Sequence, residues 1–161
     1  MRSNLAFLNT PATAGSVVEL HTESELQFID VTTLVEERVR RSGVRSGLAS
    51  IQSLHTTAAV IVNEDEPRLL DDLARTLERV APRDGRYRHD DLHLRADVAP
   101  DERPNGHAHC RALVLSASAT LQVREGRLGL GRWQRVFFVE LDGPRRRALS
   151  VLVIGSPDAA Q

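Results

Sequence analysis

The spacing of apolar positions changes along the chain, and each change predicts an element. Ser16 to His21 and Leu26 to Val31 are short β-favouring runs, and the polar Thr22-Glu23-Ser24-Glu25 between them predicts a hairpin. Leu34, Val35 and Val39 then share a helical face, with Thr33 placed to cap the helix and Gly43 to stop it. Gly47 to Leu54 and Thr57 to Asn63 read as strands. Within the second, Ala58-Ala59-Val60-Ile61-Val62 is apolar without interruption, as in a strand buried on both faces. His55 therefore falls beside the core at a strand junction.

Pro67 opens the clearest helix, in which Leu69, Leu70, Leu73, Leu77 and Val80 follow a 3.6-residue period until Pro82 ends it. Arg83 to Gly106 has no sustained period and is rich in Pro, Gly, Asp and Arg, which predicts a long loop of the kind that carries function in compact domains. A further helix is expected over His107 to Ser118, started by Asn105-Gly106. Leu121 to Val123 and Arg127 to Leu130 flank the turn Glu125-Gly126; Trp133 to Leu141 and Arg147 to Ile154 form a second such pair around Asp142-Gly143-Pro144. The sum is a single α+β domain, a mainly antiparallel sheet with about three helices. Residues 1–15 read as an N-terminal arm, 16–155 as the domain and 156–161 as a tail.

Composition narrows the class of function. The chain has 161 residues, 41% of them hydrophobic and 27% charged, enough for one core without disulfide staples. A net charge of -1 gives no electrostatic footprint for nucleic acid. Cys110 is the only cysteine, so no intrachain disulfide forms and a reducing cytoplasm is the expected setting. No apolar stretch reaches membrane-spanning length, and no membrane partner is expected.

Candidate chemistry centres on histidine, the commonest metal ligand and the side chain best suited to proton transfer near neutral pH. Of six histidines, His89, His93, His107 and His109 fall in one short polar region, and His55 begins His55-Thr56-Thr57. A metal site needs about three converging ligands, for which His55, His89 and His109 are the candidates; no His-Glu-x-x-His or paired Cys-x-x-Cys supports them by spacing. His93 and His107 are left to the surface or to an outer layer of the site. Cys110 and His109 are adjacent and point in different directions, so a small core cysteine is preferred to a nucleophile. Asn63-Glu64-Asp65-Glu66 between a strand and a helix reads either as charge at a helix N-terminus or as site residues at the sheet end. Gly126-Arg127-Leu128-Gly129-Leu130-Gly131 lacks the following helix that a nucleotide loop requires, so its glycines are turn glycines. Arg145-Arg146-Arg147 either grips a phosphate or forms a solvated turn.

The ordered set His55-Thr56-Thr57-Ala58-Ala59, Asn63-Glu64, Tyr87-Arg88-His89, Asn105-Gly106-His107-Ala108-His109, Gly129-Leu130-Gly131-Arg132-Trp133-Gln134 and Asp142-Gly143-Pro144-Arg145 resembles the YjbQ-like family. That resemblance implies a small α+β homotrimer with a proposed secondary thiamine-phosphate synthase activity, which joins hydroxymethylpyrimidine diphosphate to a thiazole phosphate and releases pyrophosphate. It also implies a divalent metal, zinc first, on His55, His89 and His109. Asn63 and Glu64 would line the site as its catalytic pair, and Arg145, Arg132, Trp133 and Gln134 would bind substrate phosphate. Arg132 and Cys110 depart from the family's usual threonine and aliphatic residue.

Three functions follow as expectations: a metal-dependent transferase, a module that binds a metal or small phosphorylated ligand without turnover, and a structural trimer whose histidines satisfy interface groups.

Overall fold

The computed structural model describes residues 12–157; the expected arm over 1–11 and the tail over 158–161 lie outside the described residues. In chain order the elements are β1 (Ala12–His21), β2 (Gln27–Asp30), α1 (Thr32–Ser42), β3 (Ser46–Ser53), β4 (Ala58–Glu64), α2 (Pro67–Val80), α3 (Gly106–Val114), β5 (Ser118–Arg124), β6 (Arg127–Leu128), β7 (Gln134–Glu140) and β8 (Arg146–Ser156). Single 3-10 turns at Arg88–Asp90 and Leu92–Leu94 punctuate the long loop between α2 and α3. β1 begins inside the span read as an arm, because Ala12 pairs with Gly155 of β8.

The strands sort into two antiparallel sheets, one of order β1-β8-β3-β5-β6 and one of order β2-β7-β4. Burial explains the sorting. β1 and β8 alternate between more and less buried positions, as strands with one face on a core do, whereas β7 ends in five consecutive buried residues. The small sheet is therefore the middle layer. One of its faces presents Val60, Val136 and Phe138 to Ile51, Val151 and Val153 of the large sheet, with Val35 and Val39 of α1 closing that core. Its other face presents Ala59, Phe137 and Val139 to Leu77 of α2 and Ala108 of α3. The uninterrupted apolar run of β4 is thus buried on both sides, as its sequence predicts.

Two of the three hairpins expected across polar turns are replaced by long-range pairings. β1 pairs with β8 and β2 with β7, so residues 22–26 cross between sheets instead of closing a hairpin. Likewise β7 and β8 lie in different sheets, and Asp142-Gly143-Pro144 is a crossing. The reason is that β2 and β7 need cover on two faces, which a partner of alternating pattern cannot supply. The β5–β6 turn does form a hairpin, with Glu125 at φ 53° and Gly126 at φ 78° as the left-handed pair that such a turn requires.

Helix starts follow hydrogen bonds. α1 begins at Thr32, whose amide donates to Asp30 Oδ1 at 2.8 Å, so Thr33 lies within the helix and does not cap it. Gly43 ends α1 at φ 72° as expected. α2 starts at Pro67, and Glu66 accepts from the amides of Arg68 and Leu69.

Candidate functional site

At one end of the sandwich the β3–β4 turn, the β7–β8 crossing and the start of α3 converge on a polar cavity of about 370 Å³. His55, Thr56, Asn105, His109 and Arg145 line it, with Asp101 and Glu102 of the long loop on the facing side. Three predicted site residues, widely spaced in sequence, thus share one space: His55, His109 and Arg145.

Beneath the cavity lies a fully buried ion pair. Glu140 and Arg147 form a two-pronged contact, with Arg147 Nε donating to Glu140 Oε2 at 2.6 Å. The same carboxylate accepts the amides of Leu141, Asp142 and Gly143 and the hydroxyl of Thr22. Burial alone would raise the Glu140 carboxyl, but the Arg147 hydrogen bond and the amides of Asp142 and Gly143 outweigh it and hold it below the usual carboxylate range. This network folds the crossing back and sets Arg145 at the rim, with Asp142 buried behind it. Asp142 accepts from Arg145 Nη2 at 2.7 Å and from Asn105 Nδ2 at 3.3 Å, joining the crossing to α3.

The arginine run therefore has three fates. Arg145 faces the cavity part-exposed, Arg146 pairs with Glu19 at 2.6 Å on the surface, and Arg147 is consumed by Glu140.

The histidines separate equally clearly. His109 lines the cavity, and the His89 ring packs edge-on against it with centroids 4.6 Å apart. His89 Nε2 is buried without a hydrogen-bond partner, 3.9 Å from Glu102 Oε1. Burial lowers the pKa of His109, and the neighbouring His89 lowers it further. His55 Nε2 accepts the amide of Ala148 at 2.7 Å, so that nitrogen is unprotonated and already in use. Burial, with Arg147 next, lowers the His55 pKa and favours this neutral form. Among the described residues no group of three or more His, Cys, Asp or Glu side chains is placed to hold a metal ion. His89 and His109 fit a cation as neighbours with an unclaimed nitrogen; His55, as placed, does not.

One side-chain expectation is narrowed and one corrected. Of the two places left open for His107, the surface and an outer layer of the site, the surface is excluded: His107 is buried against Tyr87, because its segment is helical and turns it toward a second polar cavity of about 230 Å³. Cys110 is exposed for the same reason, on the outward side of α3. His93 is exposed, as expected.

Similarity to known proteins identifies the family and supports the fold. The model of the family described as UPF0047 protein YjbQ-like matches residues 16–156. The chain belongs to the UPF0047, or YjbQ-like, family. The UPF0047 protein of Methanothermobacter thermautotrophicus is 39% identical over 138 residues, covering 86% of this chain and 90% of that one. UPF0047 protein YugU of Bacillus subtilis is 33% identical, covering 86% of this chain and 97% of its own. A crystal structure of a YbjQ-like protein of unknown function from Sulfolobus solfataricus superposes with a TM-score of 0.80 at 33% identity, covering 91% of this chain and 99% of that chain.

The YjbQ-like motifs do not all meet. Asn63 and Glu64 pair with Arg135 and Gln134 at one end of the β4–β7 ladder, whereas Ala58 pairs with Glu140 at the cavity end. Six residues at about 3.4 Å each put roughly 20 Å between the two ends. Arg132 stacks on the exposed ring of Trp133, and Gln134 Oε1 accepts the amide of Gly131, so both lie with Asn63 and Glu64 at the far end. Glu140 was not among the candidates, and Asn105 and Asp142 entered as a helix start, a turn and parts of the family motifs, without a role in the site. A carboxylate at the end of an otherwise apolar strand, seven residues before an arginine, was the available signal for the first.

Proposed function

We propose that this YjbQ-like protein binds a small phosphorylated molecule in the cavity, with Arg145 holding phosphate and a divalent cation, zinc first, beside His89 and His109. The observation that carries the reading is the convergence of His55, His109 and Arg145 from three separate segments on one polar cavity. Asp142 satisfies one edge of the Arg145 guanidinium, which leaves further donors of the fork for an anion. His55, neutral with its proton on Nδ1, adds an uncharged donor. A bound cation would neutralise charge on a departing diphosphate.

The reaction we assign is the thiamine-phosphate synthase type, in which the pyrimidine methylene is transferred to a thiazole phosphate as pyrophosphate leaves. Arg145 orients the diphosphate, and the buried Glu140–Arg147 pair keeps the crossing that carries Arg145 rigid. Among the described residues no helix is long and apolar enough to cross a membrane, and a cytoplasmic location goes with the proposal.

The far group of Asn63, Glu64, Arg132, Trp133 and Gln134 fits this reading in a homotrimer, where a neighbouring copy would bring it to the cavity. In support, Val17, Leu48 and Ile154 stand exposed on the outer face of the large sheet, and Leu48 and Ile154 are register partners.

Titration calorimetry with pyrophosphate, with and without zinc, tests the site. Arg145→Ala is expected to weaken binding at least tenfold; equal affinity in the two proteins would refute the reading. Incubation with the two phosphorylated substrates then separates a transferase from a binding module, since only the former releases pyrophosphate.

A further inference from the structure

We infer that Asn105, through Oδ1, is the third protein ligand of the cation at His89 and His109, in the place that family resemblance gives to His55. This rests on the proposed metal reading of the site and goes further by naming the ligand set.

The orientation of the Asn105 amide is fixed by its neighbour. Nδ2 donates to Asp142 Oδ2 at 3.3 Å, and an ionised carboxylate can only accept, so the amide cannot be turned round. Oδ1 is thereby left facing the other way, and it is buried without a partner in a residue that is 8% exposed. His89 Nε2 is in the same condition. Buried polar atoms are almost always paired, so two orphans within one small region require an explanation.

Their neighbourhood supplies one. Asn105 precedes α3, and the His109 amide bonds back to the Asn105 carbonyl at 3.3 Å, one turn along the same side of the helix. The turn carrying His89 is pinned to this point, because Asp90 Oδ1 accepts the amides of Asn105 at 2.9 Å and Gly106 at 2.8 Å. Gly106 permits the approach: a Cβ there would lie 2.8 Å from Tyr87 Cγ. His89 stacks on His109, and Asn105 lines the same cavity as His109, so both orphan atoms belong to neighbours of one imidazole. Neither is reached by water. Unpaired polar atoms shielded from water, next to an imidazole, are groups that a cation can engage.

Competing ligands are already engaged. His55 gives Nε2 to the Ala148 amide, and Glu102 is held by Arg95 on one oxygen and the Ala99 amide on the other. The acidic and imidazole side chains alone make no trio. An amide oxygen completes one. Two imidazoles and an amide carry no charge, so the cation keeps its full charge and its remaining positions for an anionic ligand in the cavity.

Cobalt titration of the full-length, metal-stripped chain, followed by absorption and by elemental analysis, tests the assignment. Wild type is expected to bind one cobalt per chain, Asn105→Ala at least tenfold more weakly, and His55→Ala within about twofold of wild type. Asn105→Asp, which restores an oxygen and adds charge, is expected to recover cobalt affinity while weakening pyrophosphate binding to the loaded protein; this variant also serves if Asn105→Ala does not fold. Loss of cobalt in His55→Ala, or full retention in Asn105→Ala, would overturn the ligand set and leave the metal reading standing. If wild type binds cobalt no better than His89→Ala, the metal reading itself falls, and the inference with it.

Discussion

Glu140 has no exposed surface, yet it accepts hydrogen bonds from Arg147, Thr22 and three successive backbone amides. Removing one member of a buried ion pair strands the other, which costs about 3–5 kcal/mol. Glu140→Gln is expected to lower unfolding stability by about that amount in urea titrations while leaving the secondary structure intact. A loss under 1 kcal/mol would show that the pair is not the brace of the crossing. Because the folded Glu140 pKa is depressed, its stabilisation is complete above the unfolded carboxylate pKa of about 4.3 and disappears as pH falls through the lower folded value. Wild-type stability should therefore drop more steeply than that of Glu140→Gln below about pH 4.5. At this scale the sequence revealed side chains whose chemistry stands out locally, such as His109 at a helix start and Arg145 at a turn. Asn105 and Glu140 stayed hidden because their roles depend on what faces them, and neither partner is near in sequence.

Elements were legible where period and termini agree. α2 was expected from Pro67 and its leucines, with Glu66 as charge at its N-terminus; its side-chain cap was not, since Glu66 takes a place more often held by shorter polar residues. Glu66→Ala is expected to destabilise the protein by about 1 kcal/mol in thermal or urea unfolding. Thr33→Ala should change it by less than about 0.5 kcal/mol, because Thr33 is an exposed residue within α1. Reversed effects would mean that the hydrogen bonds at the two helix starts are misassigned. Strand partners were less legible than strands. A polar turn between two strands suggests a hairpin locally, but the continuous burial of Val136 to Val139 and the alternation of Leu149, Val151 and Val153 assign their strands to different layers. The periodicity was in the sequence; only the turn pointed the other way.

At the scale of the molecule, the helical layer covers the small sheet and the small sheet covers the inner face of the large one, while Val17, Leu48 and Ile154 remain on the outer face. No described apolar cluster covers that face. A sheet face that exposes Val17, Leu48 and Ile154 suits a second copy of the chain better than water. Sedimentation is expected to give about three times the chain mass of 17.8 kDa, and Leu48→Asp to shift it toward one chain mass without loss of the fold. The proposed trimer would also make the separation of the family motifs testable. If the cavity of one copy takes Glu64 from the next, chains carrying Arg145→Ala and chains carrying Glu64→Ala are each impaired alone, but co-expressed they form mixed trimers in which some cavities have both residues intact. Recovery of tight pyrophosphate binding in a fraction of sites is the expected result. Absence of recovery in mixed trimers of confirmed composition would confine the site to one chain and leave Asn63, Glu64, Arg132, Trp133 and Gln134 outside it.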